Sequence, residues 1–376
     1  MSAIDSFTAG FVEEPGYLNY ASYGPLSAAV VAEMDWQREL VSRSRFGSTS
    51  ALQEQEGRAR GALAEALGFR ADQVVLQPNT STGLMHAMFG VTGGVLLSRA
   101  EFPSLTFAAV RAEQTLSVTA PLWLETDHGR VTPGQIRDQL TSTTAAVAVS
   151  LVDSRTGYVA DLEGIRQVIG DRLLIVDAIQ GFGVVDAPLE LADIVAGAGQ
   201  KWLRAGWSTG YLAVSDRAAD RLTPVFSGYL GTADDDLIPW DEVPAPARGA
   251  VAFRMTGADP MAAARLSAAV EDLTAAGIPA VASAVAERAG RIIELADEFA
   301  LPVVSPRDER ERAGIVVVQP APEHLTPLTA SLHNAGVAVT VRQGAVRLAA
   351  HAGTGDETLS MLRGALTSWA AASRIR

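Results

Sequence analysis

Two polar residues at the ends of apolar runs could do chemistry together. Leu173-Leu174-Ile175-Val176-Asp177-Ala178-Ile179-Gln180 ends one run, and Ala196-Gly197-Ala198-Gly199-Gln200-Lys201-Trp202 follows the next. Open α/β sheets place their ligand crevice outside the carboxyl ends of the strands, so Asp177 and Lys201 are expected to face one site. A lysine amine condenses with a carbonyl. An aspartate beside a pyridine nitrogen keeps that nitrogen protonated, so that electrons can flow from a substrate Cα into the ring. The pair is what the chemistry of pyridoxal 5'-phosphate (PLP) requires. Taken singly, such an aspartate is an ordinary helix cap and such a lysine a solvated strand end; the combination carries the reading.

From Tyr17-Leu18-Asn19-Tyr20-Ala21 to Val346-Arg347-Leu348, and most specifically in Asp177-x-x-Gln180 and Lys201-Trp202, the sequence resembles the class V aminotransferase family of fold-type I PLP enzymes. That family includes cysteine desulfurases, kynureninases, isopenicillin N epimerase-like proteins and ergothioneine C–S lyases. The resemblance implies a Schiff base on Lys201, Asp177 at the pyridinium nitrogen and Gln180 hydrogen-bonded to the phenolic oxygen. Pro78-Asn79-Thr80-Ser81-Thr82-Gly83 matches the family's phosphate loop, with Thr80 and Ser81 as the expected ligands, because helix N-terminal amides and short hydroxyls hold anions. By itself the same segment is an ordinary N-capping sequence. Phe102, in Glu101-Phe102-Pro103-Ser104, takes the place of the ring over the pyridine face, with simple core packing as its alternative. Ser154 and Arg155 fall in a loop that relatives use to contact substrate or cofactor. Arg347 matches the arginine that grips the substrate α-carboxylate, Arg342 is a second candidate, and either is otherwise a surface arginine at a strand end.

Several departures narrow the chemistry. Ala198 replaces a phosphate-binding serine and Gln200 a histidine, so phosphate binding is expected to lean on Thr80, Ser81 and Gln200. Ala258 stands where relatives carry a threonine that reaches the neighbouring subunit, with Thr256 as its candidate substitute. The chain has no cysteine, and the segment between Arg342 and Arg347 is too short for a cysteine-bearing loop; a self-contained cysteine desulfurase is thereby excluded. Transamination of a small α-amino acid is the leading expectation. The alternatives are C–S β-elimination from a cysteine S-conjugate, epimerisation, and a catalytically silent PLP-fold binding protein.

The elements that position these residues follow from patterning. Helical spacing covers 33–41 and 52–67, the latter ending at Gly68. Short apolar runs then mark strands at 74–76, 94–97, 118–123, 145–152, 173–176, 194–196 and 210–214, with helices such as 82–89 and 162–169 between them. Continuous apolar runs suit strands covered on both faces, which predicts an α/β fold with a mostly parallel sheet in the large domain; the family resemblance implies that this is the PLP-dependent transferase fold of type I. A Gly-, Pro- and Asp-rich stretch at 227–250 holds the run Asp234-Asp235-Asp236, read as a solvated loop. Beyond it a helix at 260–276, a helix at 280–299, strands at 315–318, 337–341 and 345–349, a helix at 325–335 and a closing helix from 358 predict a smaller α+β lobe. The expected division is a PLP-binding domain at 18–258 and a small domain at 259–376 joined by the segment 1–17, in line with a chain of 376 residues when single cores stop growing near roughly 250–300. Trp202, Trp207, Tyr229 and Trp240 are candidates for the pocket wall or for plain core.

Composition excludes other classes. A net charge of −13 leaves no basic face for nucleic acid or anionic membranes. Gly197-Ala198-Gly199 lacks the third glycine of a dinucleotide fingerprint, and the five histidines show no paired metal-ligand spacing. With no basic-then-apolar leader and no long apolar segment, a cytoplasmic location is expected. By resemblance the chain is expected to be a homodimer.

Overall fold

The computed structural model describes residues 2–43, 46–232 and 242–373; the Asp234-Asp235-Asp236 run and Trp240 lie outside them. Helices α1 (Ala3–Ala9), α2 (Ala28–Arg43) and α3 (Ser48–Leu67) precede the first strand. The third ends as its sequence predicts, with Gly68 at φ 74° donating to the Ala64 carbonyl. Then follow β1 (Val74–Gln77), α4 (Thr80–Gly90), β2 (Gly93–Ser98), α5 (Pro103–Leu116), β3 (Thr119–Leu124), α6 (Pro133–Gln139), β4 (Thr144–Ser150), α7 (Leu162–Ile169), β5 (Leu173–Asp177), β6 (Ile194–Ala198), β7 (Gly210–Val214) and the short α8 (Asp216–Ala219). The strands form one seven-stranded sheet in the order β1-β7-β6-β5-β4-β2-β3. Only β7 runs against its neighbours, so the carboxyl ends of β1, β6, β5, β4 and β2 all open on one edge.

Alternate residues of the central strands enter opposite cores. Val147, Val149, Leu174, Val176 and Val195 pack on one side, and Ala146, Ala148, Leu173, Ile175 and Ile194 on the other. Both faces are apolar, which is why these strands show no polar alternation.

The rest of the chain gives α9 (Pro260–Ala276), α10 (Ile278–Glu298), β8 (Ile315–Val318), α11 (Pro322–Asn334), β9 (Thr340–Arg342), β10 (Ala345–Ala349) and α12 (Asp356–Ser373), with an antiparallel sheet ordered β8-β10-β9. Two features differ from expectation. The helix α1 was not anticipated; Ser2 and Asp5 cap it reciprocally. The strand expected at 337–341 begins only at Thr340, because Ala338 pairs with the N-terminal segment instead: its amide donates to Gly16 O and its carbonyl accepts from Leu18 N. A second bridge joins Asn19 to Ala349, so residues 16–20 lie along the small sheet. Ile315 and Val317 share a core with the large sheet, while Val316, Val318, Val346 and Leu348 pack with α10 and α12. Among the described residues no single helix is long and apolar enough to cross a membrane; α9 and α10 meet that test only jointly and are bent by 84° where they join.

Candidate active site

Beyond β6 the chain folds into a tight loop that presents Lys201. Gly199 N donates to Thr209 O (3.0 Å), Ala205 N to Gly199 O (2.8 Å) and Arg204 N to Lys201 O (3.1 Å). Position 199 has room for glycine alone, since a Cβ would come within 2.7 Å of Ala205 Cβ and 2.8 Å of Thr209 Oγ1. The N-terminal segment clamps the loop from outside: Gly24 N donates to Gln200 O at 2.9 Å, so close that a side chain at 24 would strike the Lys201 carbonyl. Arg204, at φ 60° and fully buried, donates to Pro25 O (2.9 Å), pairs with Glu13 (3.0 Å) and lies 3.6 Å from the Phe11 ring centroid. These contacts hold an unfavourable backbone angle in place.

Lys201 Nζ lies 5.4 Å from the centroid of the Phe102 ring, which comes from the turn between β2 and α5. Burial lowers its pKa to about 8 against the opposing pull of Asp177, and Arg347 and Arg342 add to the depression. Asp177, at the end of β5, is buried; Oδ1 accepts from Ile179 N (3.0 Å), and Oδ2 has no partner. Burial raises its pKa to about 6, partly offset by the Ile179 amide and Lys201. Glu101 Oε2 accepts from Ser150 N (3.1 Å) at the end of β4, and burial lifts this carboxyl to about 7.

After β1, α4 begins at Thr80, capped by Asn79. Thr80 Oγ1 is buried without a partner, and Ser81 Oγ is 2.7 Å from Ser104 Oγ on α5. Gly210 of β7 lets this loop approach, as a Cβ there would lie 2.5 Å from Asn79 N. Gln200 offers its side chain at the foot of the lysine loop with no side-chain hydrogen bond to any described residue.

The small sheet supplies Arg347, which donates to Ser154 O (3.0 Å) and Ser22 Oγ (2.8 Å) and keeps a buried Nε without a partner. Burial and Arg342 lower its pKa to about 10. Arg155 is held by Asp153 (3.3 Å). Gln180 is more committed than expected: Nε2 donates to Ala21 O (2.9 Å) and Oε1 accepts from Trp202 Nε1 (2.8 Å), leaving one amide proton to offer. Trp202 is core, Trp207 is 63% exposed and stacks on Tyr23, and Tyr229 is exposed near Thr256. Ser22, Asn19, Thr340 and Tyr211 were not singled out from sequence; Tyr211 OH is buried without a partner and its pKa is raised by burial and by Asp177. One signal was available throughout: Lys201 is the only lysine, the other 29 of 30 basic residues being arginines.

Residues 25–363 match the model of the family described as Aminotransferase class-V. The chain belongs to that family. Among individual class-V relatives, it is 27% identical to the kynureninase of Deinococcus radiodurans over 80% of this chain and 76% of that protein. It is 26% identical to a probable cysteine desulfurase of Methanothermobacter thermautotrophicus over 59% of each. In three dimensions the class-V fold matches that of a cysteine desulfurase from Thermococcus onnurineus, with a TM-score of 0.83 at 18% identity over 93% of both chains. A cystine C–S lyase matches equally well, at 16% identity over 94% of this chain and 97% of that one.

Class-V enzymes use PLP, and the residues here fit that group. Two buried polar atoms that follow strands of the large sheet lack partners, Thr80 Oγ1 at a helix N-terminus and Oδ2 of Asp177, whose carboxylate is within electrostatic reach of Lys201. An anion-seeking end, an acid-seeking end and a neutralisable amine facing an aromatic ring match the donors and acceptors of a phosphorylated pyridine aldehyde.

Proposed function

We propose that this class-V enzyme carries PLP covalently on Lys201 and exchanges the amino group of a small α-amino acid. The observation that carries the reading is the chain's one lysine, facing the Phe102 ring at 5.4 Å, its pKa depressed to about 8, within electrostatic reach of buried Asp177, whose Oδ2 has no partner. PLP, when bound, supplies an electron-withdrawing ring that stabilises negative charge at the substrate α-carbon. Thr80, Ser81 and the first amides of α4 hold the phosphate, with Gln200 beside them. Asp177 keeps the ring nitrogen protonated, Phe102 covers one ring face, and Ser154 and the free proton of Gln180 serve the phenolic oxygen. Arg347 binds the substrate α-carboxylate.

Lys201 Nζ takes the proton from the substrate α-carbon and holds it for return. The charged groups acting on Lys201 are Asp177, Arg347 and Arg342, none of them a second proton shuttle. One shuttling amine suffices for transamination, whereas epimerisation by two bases needs a second proton carrier on the opposite face of the substrate. Elimination from a cysteine S-conjugate is the second reading, because a thiolate departs without an acid; the cysteine-free chain keeps no sulfur acceptor of its own. A catalytically silent binding protein is disfavoured by the depressed lysine. Incubating loaded protein with single L-amino acids and no keto acid separates these readings. One equivalent of keto acid per site supports transamination; continuous release of pyruvate and thiol from S-conjugates overturns it in favour of elimination.

The Lys201 pKa also fixes a pH dependence. The amine attacks a carbonyl only when neutral, so PLP uptake by cofactor-free protein should accelerate as pH rises, with a midpoint near about 8. A midpoint near the roughly 10.4 of a free lysine would oppose the assignment. The proposed homodimer is supported by exposed Trp207, Tyr229 and Met255, with Trp207 stacked on Tyr23 beside the lysine loop. Light scattering at twice the chain mass is expected, and a monomer would refute it.

A further inference from the structure

The hairpin β9–β10 bears a cation that no described residue neutralises. Its two-residue turn, Gln343-Gly344, has φ of 50° and 79°, the left-handed pair that suits a tight hairpin. Register pairs Arg347 with Thr340 and Ala345 with Arg342, so Thr340, Arg342 and Arg347 project from one face. That face is turned to the site: Thr340 Oγ1 donates to Asn19 Oδ1 (2.7 Å) and lies 2.9 Å from Ser22 Oγ, to which Arg347 also donates. Arg342 is within electrostatic reach of both Lys201 and Arg347, since it disfavours the protonated form of each.

Some exposed arginines are paired, as Arg307 is with Asp297 at 2.6 Å and Arg70 with Asp216 at 2.9 Å, while Arg248 has no partner among the described residues and lies outside the hairpin. Arg342, also exposed, makes no hydrogen bond or ion pair with any described residue, in a chain whose net charge is −13. Diagonal neighbours on a hairpin face stand roughly 7–8 Å apart, within joint reach of one small ligand. A substrate α-carboxylate on Arg347 satisfies one guanidinium and leaves the other.

We propose that Arg342 is a specificity-determining residue and that the substrate is an amino acid whose side chain ends in a second acid, a carboxylate or sulfonate, which Arg342 holds while Arg347 holds the α-carboxylate. The inference rests on the reading of Lys201 and Arg347 given above. An exposed pair contributes modestly and a charge-assisted hydrogen bond more, so the side-chain acid improves binding about tenfold.

The test uses acids without an amino group, so that binding is read apart from turnover. PLP-loaded protein, its attachment to Lys201 first checked by visible absorbance, is titrated calorimetrically with glutarate and with butyrate. Glutarate is expected to bind about tenfold more tightly, with a preference that shrinks as salt is added; Arg342→Gln is expected to abolish the preference while leaving butyrate within about twofold. Equal affinities in the parent, undetectable glutarate binding, or a preference that survives Arg342→Gln overturns the proposal. Failure to retain PLP on Lys201, or butyrate binding unchanged by Arg347→Gln, would instead count against the underlying reading.

Discussion

Lys201→Ala is expected to reduce turnover by at least about a thousandfold and to abolish covalent retention of PLP while leaving the fold intact. The size of the effect follows from composition as much as position. No other lysine exists to take the role, and the 29 arginines stay protonated. The loop should survive because its own backbone bonds and the clamp of Gly24 and Arg204 shape it, none of which uses the lysine amine. Removing an amine whose protonation burial already opposes costs little stability. Turnover with and without a small added amine checks this: partial rescue supports the proton-shuttle role, and unimpaired activity without the amine refutes it.

Asp177→Asn is expected to cost at least about a hundredfold in turnover, yet to leave the cofactor-free protein no less stable than its parent above pH about 6. The sign follows from linkage. The carboxyl's pKa rises from 3.8 to about 6 on folding, so the charged form is disfavoured in the native state. Stability contributed by the protonated form is present at low pH and is lost as pH climbs between those values, on the order of 3 kcal/mol. Asparagine keeps the bond from Ile179 N and removes the charge, although its unpartnered NH₂ returns part of the cost. A merely structural aspartate would give the opposite result, a destabilised protein with turnover per folded molecule unchanged. Thermal melts of the cofactor-free forms at pH 5 and pH 8, beside assays of the loaded forms, separate the two.

Strand ends were the most legible part of the molecule. Asp177 and Lys201 each follow an apolar run, and the sheet's parallel order brings those ends to one edge, so local pattern and topology agree. Phe102 and Thr80 were named through the family resemblance, from the segments that follow β2 and β1. What the sequence hid depends on contacts across hundreds of positions. Ser22 and Asn19 reach Thr340 and Arg347 only because residues 16–20 pair with the small sheet, and no local periodicity encodes that pairing. The same pairing shortened β9 by claiming Ala338. Gln180 was expected at the site from the family resemblance, but its engagement by Ala21 and Trp202 needed the folded chain. The solitary lysine needed only counting.

The most direct measurement is borohydride reduction of the PLP-loaded protein followed by intact-mass and peptide analysis. Reduction fixes the cofactor wherever it is joined to an amine, and apart from the backbone terminus the chain offers only Lys201. One phosphopyridoxyl group per chain, on the peptide containing Lys201 and lost in Lys201→Ala, is the expected result. A label elsewhere, or none in a protein that still turns over amino acids, would contradict the central claim.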